Sequence, residues 1–209
     1  MRPVLEVDKL RDGRPTILQL TDSRELARYE IHPGLGAFCA YGPRRGQIVR
    51  ESLGKGLRVP GGEVFAATTG AAIVGYLLLV PSGPDQPWGR LNDLRILEIG
   101  IEVARGYRGR GLAQALFRQA FSRPEVEARI YVATAYMWCW DMEETGLSAT
   151  AYSARLLGLF ERFGFRREWT NEPNVMMEPA NFLAVRVGRL VAPDLLRRFR
   201  QSQRGELAA

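Results

Sequence analysis

The sequence predicts a single α/β domain, and three observations lead there. Stretches of alternating hydrophobicity take turns along the chain with stretches of helical spacing, the pattern of strands and helices packed in layers. The 209 residues suit one such unit, and 46% hydrophobic residues are enough to fill its core. No repeat breaks the order, so residues 1–209 are expected to form one domain. Its first sixty residues would add a strand, a helix and a loop on the substrate side.

The elements follow in chain order. TILQL at 16–20 reads as a strand, and TDSRELARY at 21–29 offers Asp22 or Ser23 as a cap for a helix. YEIHPGLGAFCAYGPRRG, from residue 29, is rich in turn formers. EVFAATTGAAIVGYLLLV at 63–80 reads as two strands folded back at Thr-Thr-Gly, and PSGPDQPWG at 81–89 as a loop. In LRILEIGIEVA at 94–104, Leu97, Ile99, Ile101 and Val103 fall on one face and Glu98, Gly100 and Glu102 on the other. That predicts a strand with one polar face. LAQALFRQAFS carries apolar residues at 112, 113, 116, 117 and 120, a helical face. ARIYVATAY at 128–136 reads as a strand. Leu156, Leu159, Phe160 and Phe163 then mark a helix that Gly164 stops. FLAVRVGRLV at 182–191 predicts a last strand, and Pro193 opens a closing helix.

Composition removes several function classes. The longest apolar run, AAIVGYLLLV at 71–80, is about half of what a bilayer-spanning helix needs. The start MRPVLEVDKLRDGRP lacks an apolar signal region. Cys39 and Cys139 stand apart with no CxxC and no Cys/His cluster, so neither a disulfide scaffold nor a metal site is expected. A cytoplasmic protein is the expectation. The net charge of +6 comes from 29 basic residues scattered along the chain, nearly all arginine, which argues against a nucleic-acid surface.

IEVARGYRGRGLAQALF at 101–117 is the chemically informative stretch. A strand, then glycines, then a helix start places free backbone amides around an anion, and phosphate is the natural guest. The dinucleotide fingerprint needs a third glycine where Gln114 stands, and a nucleotide-triphosphate loop needs a lysine that is absent here. Arg108-Gly109-Arg110-Gly111-Leu112-Ala113 instead resembles the pyrophosphate-binding motif of the GCN5-related N-acetyltransferases (GNAT). The order of elements over roughly residues 63–190 resembles that superfamily too. YEIHPGLGAF at 29–38, IEVARGYRGRG at 101–111, YMWCWDMEETGL at 136–147 and NFLAVRVG at 181–188 are similar to the acetoin-utilisation acetyltransferases. The resemblance implies a mixed, mostly antiparallel central sheet with helices on both faces. It implies acetyl-CoA as cosubstrate, bound by Ile101, Val103, Arg108, Gly109, Arg110, Gly111, Leu112 and Ala113. It also implies a protein acceptor, a lysine of acetyl-CoA synthetase, which acetylation switches off.

Acyl transfer to an amine needs the amine deprotonated, the thioester carbonyl polarised and the leaving thiolate protonated. Glu102 and Glu98, on the polar strand face, are the candidate bases, Glu102 first. The resemblance places a thiol-protonating tyrosine where this chain has Phe160, which leaves Tyr152, two turns earlier, to serve as acid, with Tyr136 as a further option. The Val103 backbone amide is expected to meet the thioester carbonyl. Arg105 stands where many relatives carry proline and is expected to add charge for phosphate. Tyr136, Trp138, Trp140 and Asp141 read by default as core packing and, as the functional alternative, as the wall of a lysine channel with Asp141 steering the ammonium; His32 reads as structural or, alternatively, as a base or substrate contact. Two alternatives stand beside this reading: a small-molecule amine as acceptor, or a non-catalytic acyl-CoA sensor.

Overall fold

The structure is a computed structural model that describes residues 15–36 and 45–206. Eight strands form one sheet: β1 (Thr16–Leu20), β2 (Glu30–Ile31), β3 (Glu63–Thr69), β4 (Ala72–Pro81), β5 (Ile96–Val103), β6 (Ile130–Ala135), β7 (Arg166–Glu168) and β8 (Phe182–Val187). The order along the sheet is β1-β3-β4-β5-β6-β8-β7, with the two-residue β2 beside β4. Only β2–β4 and β5–β6 run parallel. Among the described residues there are seven α-helices: α1 (Ser23–Leu26), α2 (Arg45–Arg58), α3 (Leu112–Phe121), α4 (Met142–Thr145), α5 (Ala149–Glu161), α6 (Pro173–Met177) and α7 (Pro193–Gln203). The mixed, mostly antiparallel sheet with helices on both faces is therefore present.

Strand alternation sorts the side chains between the layers. Phe65 and Leu77 are paired opposites on one face, where α3 packs through Phe117 and α5 through Phe160, with Phe165, just past α5, against both rings. Val64 and Leu78 are paired opposites on the other face, and α2 lies against them at Gly56, where an added Cβ would stand 2.3 Å from Leu78 Cδ1. Farther along this second face, Ile96, Ile130, Val132 and Val185 form a separate cluster with Trp88, Leu195 and Phe199, brought by the 3-10 turn Pro87–Leu91 and α7. Among the described residues, a strip of the sheet between α2 and α7 stays uncovered. Gly100, on the middle strand β5, is exposed there.

Several boundaries differ from expectation. The last strand ends at Val187 rather than 191, because Gly188 presses its backbone onto Glu127, where a Cβ would lie 2.3 Å from the carbonyl oxygen. The helix expected over 21–29 is a single turn, capped by Asp22 as anticipated. Helix α2 was not expected, since three glycines, Gly46, Gly54 and Gly56, blur its apolar stripe. β1 pairs with β3, so the N-terminal strand belongs to the main sheet. Among the described residues no helix is long and apolar enough to cross a membrane. Cys39 and the end of the YEIHPGLGAF stretch lie outside the described residues.

Candidate active site

The site grows from a break in the sheet. β5 and β6 pair at Ile96–Ile130, Leu97–Tyr131 and Glu98–Val132 and no farther. Beyond that point β5 stays on β4 as far as Val103, and β6 stays on β8 as far as Ala135, so a wedge opens between them. The Ala104 amide donates to the Val74 carbonyl at 2.8 Å. Since backbone groups alternate in direction along a strand, the amides of Val103 and Ile101 point away from β4 and into the wedge.

At the mouth of the wedge the chain turns through Gly109 and Gly111, whose φ values of +74° and +78° belong to the left-handed region that glycine enters without strain. Gly111 caps α3 without a side chain, and the first turn of the helix carries no acid. Among the described residues no side chain caps the opening amides at Leu112 and Ala113, at the positive end of the helix dipole. No atom lies within 4 Å of a Cβ built on Gly109 or Gly111. This open cradle fits a diphosphate. Arg110 is exposed over the Tyr107 ring, 5.5 Å from its centroid.

Arg108 is more committed than its motif suggests. Its Nε donates to the Val103 carbonyl (2.9 Å), and its NH1 donates to Asp141 Oδ2 (2.9 Å) and Glu144 Oε2 (2.6 Å). Asp141 is buried and is also gripped by Arg105, with Nε to Oδ2 at 2.6 Å. These arginines hold its carboxyl below the usual carboxylate range, against the opposing effect of burial, which is the largest single influence. Asp141 is thus neutralised by arginines, not open to an ammonium, and Arg105 serves Asp141.

The two glutamates have different surroundings. Glu102 accepts from the Gly36 amide at 2.9 and 3.0 Å and from the Tyr76 hydroxyl at 3.2 Å. It fastens the 32–36 segment to the sheet. Glu98 sits where β5 and β6 part. Burial raises its carboxyl above the ordinary range, partly countered by the Ser82 hydroxyl and the Trp88 indole beside it. Glu98 Oε1, Ser82 Oγ and Trp88 Nε1 are all buried without a well-formed hydrogen bond.

The aromatic candidates form two stacks. Tyr136 lies on Trp138 (4.7 Å, 7°) and Tyr152 on Trp140 (5.1 Å, 10°). Burial and then the charge of Glu172 push the Tyr136 phenol up to about 12. Burial also raises Tyr152, which feels the charges of Arg108, Asp141 and Glu102 and faces the Asp141 amide. Tyr152, Glu102 and Arg108 therefore come together, while Glu98 and Tyr136 form a second group. Phe160 is 3% exposed, edge-on to Phe117 at 5.3 Å and to Phe165 at 5.1 Å. His32 turns inward, its Nδ1 accepting from the Gly34 amide at 3.0 Å and its ring edge-on to Tyr107 at 5.2 Å. Sequence reasoning missed Tyr76, Gly36, Glu172 and the Arg105–Asp141 pairing, each of which depends on contacts between distant segments.

Comparison with known proteins agrees with this geometry. The model of the acetyltransferase (GNAT) family matches residues 36–165, more than half of the chain. The acetoin utilization protein AcuA of Bacillus licheniformis is 30% identical over 84% of this chain and 81% of its own length. The AcuA protein of Bacillus subtilis is 31% identical over the same shares. The crystal structure of an acetoin utilization protein from Exiguobacterium sibiricum superposes with a TM-score of 0.86 at 29% identity, covering 97% of this chain and 93% of that one. With a splayed sheet, an uncapped glycine cradle and these relatives, the chain belongs to the GNAT family and is an N-acetyltransferase that takes its acetyl group from acetyl-CoA.

Proposed function

We propose that the protein acetylates a lysine amine of a protein acceptor in the cytoplasm, the acceptor being acetyl-CoA synthetase, as the likeness to the acetoin-utilisation enzymes implies. One observation carries the reading: the uncovered strip of β5, where exposed Gly100 lies between Glu98 and Glu102 on the face opposite α3. An extended amine reaches the wedge across that strip while the acyl donor lies along the cradle at α3. The rim supports an acceptor of protein size, since Trp138, Met176 and Met177 are 55%, 61% and 82% exposed. The Met137 amide ties this rim together by donating to Asn181 Oδ1 at 2.6 Å, while Asn181 Nδ2 donates to the Asn174 carbonyl. Exposed aromatic and methionine side chains are what protein contacts favour.

The chemistry then divides among the chain's own groups. Glu98, half-buried and with a raised carboxyl, takes the proton from the lysine ammonium or, through water, from the attacking amine. The amine lone pair attacks the thioester carbonyl, whose oxygen meets the Val103 amide in the wedge. The carbon–sulfur bond breaks, and Tyr152 supplies a proton to the thiolate. Glu102 keeps its anchoring contacts and holds the 32–36 segment, while Asp141 and Arg105 shape the wall. Arg108 keeps its remaining NH2 donors for the diphosphate.

The test is acetylation of purified acetyl-CoA synthetase with acetyl-CoA, read by mass spectrometry of its lysines. Acetylated lysine with the wild type, and far slower acetylation with Glu98→Gln, is expected. An unmodified synthetase together with turnover of small amines would move the acceptor to the small-molecule class.

A further inference from the structure

One ionic cluster joins the two lips of the wedge, and neither the proton transfers nor the cradle accounts for it. After Glu98 and Val132 the strands β5 and β6 share no pairing, so the loops that follow them need another tie. Asp141, its side chain 3% exposed, stands on the β6 lip just before α4. Arg105, on the β5 lip, meets it with both prongs of its guanidinium, Nε on Oδ2 and NH2 on Oδ1. Arg108 adds a third contact to Asp141 and reaches Glu144, its own Nε pinned on the Val103 carbonyl. A planar fork on a buried carboxylate fixes direction as well as distance, which an ammonium does not.

The tie reaches a candidate acid. Tyr152 is clamped on its ring face by Trp140, the residue before Asp141. Its phenol faces the Asp141 amide. Whatever fixes Asp141 therefore fixes both surfaces that hold Tyr152.

We propose that Arg105 and Asp141 are positioning residues of this transferase: their pair ties the lips of the wedge and, through Trp140 and the Asp141 backbone, sets the Tyr152 hydroxyl for acetyl transfer. The inference rests on the wedge as the acyl-CoA site. Arg105 acts on the wall segment and not on phosphate.

The test uses the full chain and the variants Arg105→Ala, Arg105→Lys, Asp141→Asn, Tyr152→Phe, and Arg105→Ala with Tyr152→Phe. Coenzyme A binding is read by calorimetry, local order by hydrogen exchange at the Cys139, Trp140 and Gly146 amides, all hydrogen-bonded within the segment, and turnover with acetyl-CoA synthetase. Arg105→Ala is expected to speed that exchange about tenfold while α3 and β8 keep their protection. Coenzyme A affinity stays within about threefold, and kcat falls about tenfold. Arg105→Lys, with the charge but not the fork, recovers little. The double variant is no slower than Tyr152→Phe alone, as two residues acting through one group require. Lost coenzyme A affinity with unchanged exchange would make Arg105 a phosphate ligand and overturn the proposal, as would additive losses in kcat. If the wild type leaves the synthetase unmodified, the acceptor reading fails by itself. The near-ultraviolet circular dichroism of the Trp140–Tyr152 stack then replaces kinetics, and an unchanged band in Arg105→Ala overturns the proposal.

Discussion

Glu98 and Phe160 show how a single side chain's surroundings set its role. Glu98 has a carboxyl raised by burial, so the folded chain holds its proton more tightly than the unfolded chain does. That contribution to stability is complete below the unfolded carboxylate pKa and is lost as pH rises through the folded value, so ionised Glu98 costs stability at neutral pH. Glu98→Gln should therefore raise the Tm at pH 7 while lowering kcat by about 10² to 10⁴, the usual worth of a positioned base. A wild-type kcat/KM profile should lose activity on the acid side above the ordinary carboxylate range, and the variant should lack that limb. Phe160 gives the opposite case. Its ring is enclosed by Phe117, Phe165 and Phe182, so Phe160→Tyr would bury a hydroxyl without a partner, at a cost of about 1–3 kcal/mol. We expect a lower Tm by calorimetry and no gain in kcat. A rise in kcat would mean that the phenol reaches the wedge after all.

At the scale of elements, the β5–turn–α3 unit was legible because its chemistry is local. Alternation placed Glu98, Gly100 and Glu102 on one face, and the glycines announced the uncapped helix start, all within one stretch of about twenty residues. The same unit carries a direct test. Gly111→Asp would force an aspartate into a φ of +78° and set a carboxylate at the positive helix end in place of the diphosphate. Coenzyme A affinity should fall at least about tenfold by calorimetry, a site occupied by its competitor being no longer available. Unaltered affinity would put the diphosphate elsewhere. What the sequence hid was set by partners far along the chain. Glu102 reads as a base until Gly36, 66 residues away, is found donating to it, and Asp141 reads as a free acid until Arg105 and Arg108 are found on it. Helix α2 and strand β7 were missed for a related reason: one is rich in glycine, the other is three residues long, and packing on the sheet rather than propensity holds both.

In the molecule as a whole, an opening at the centre of the sheet has to be explained against the tendency to cover apolar surface. β5 is the fourth of seven strands in the hydrogen-bonded order, with four helices available to the two faces nearby, yet Gly100 on it is exposed. α2 stops over Leu78 on one side, and the Trp88 and α7 cluster stops at Ile96 and Val132 on the other. A glycine keeps the strip between them low, and the nearest atom to a Cβ built there is Leu78 Cβ at 4.0 Å, an ordinary contact. The fold therefore tolerates a side chain at this position, and on the proposed function what the glycine preserves is the amine's passage. Gly100→Ala should keep or slightly raise the stability, by about 0.5 kcal/mol or less, with an unchanged or slightly higher Tm, because alanine suits a strand better and costs less entropy. Gly100→Leu should also fold, with coenzyme A affinity unchanged, since the cradle at Gly111 opens α3, which packs on the opposite face of the sheet. Its KM for the acceptor should rise about tenfold or more, because the leucine stands in the amine's path between Glu98 and Glu102. Acceptor kinetics and coenzyme A calorimetry on the same preparation separate the two sites. If the leucine leaves acceptor KM unchanged, the amine enters by another route, and Glu98 loses its place as the group that receives the proton.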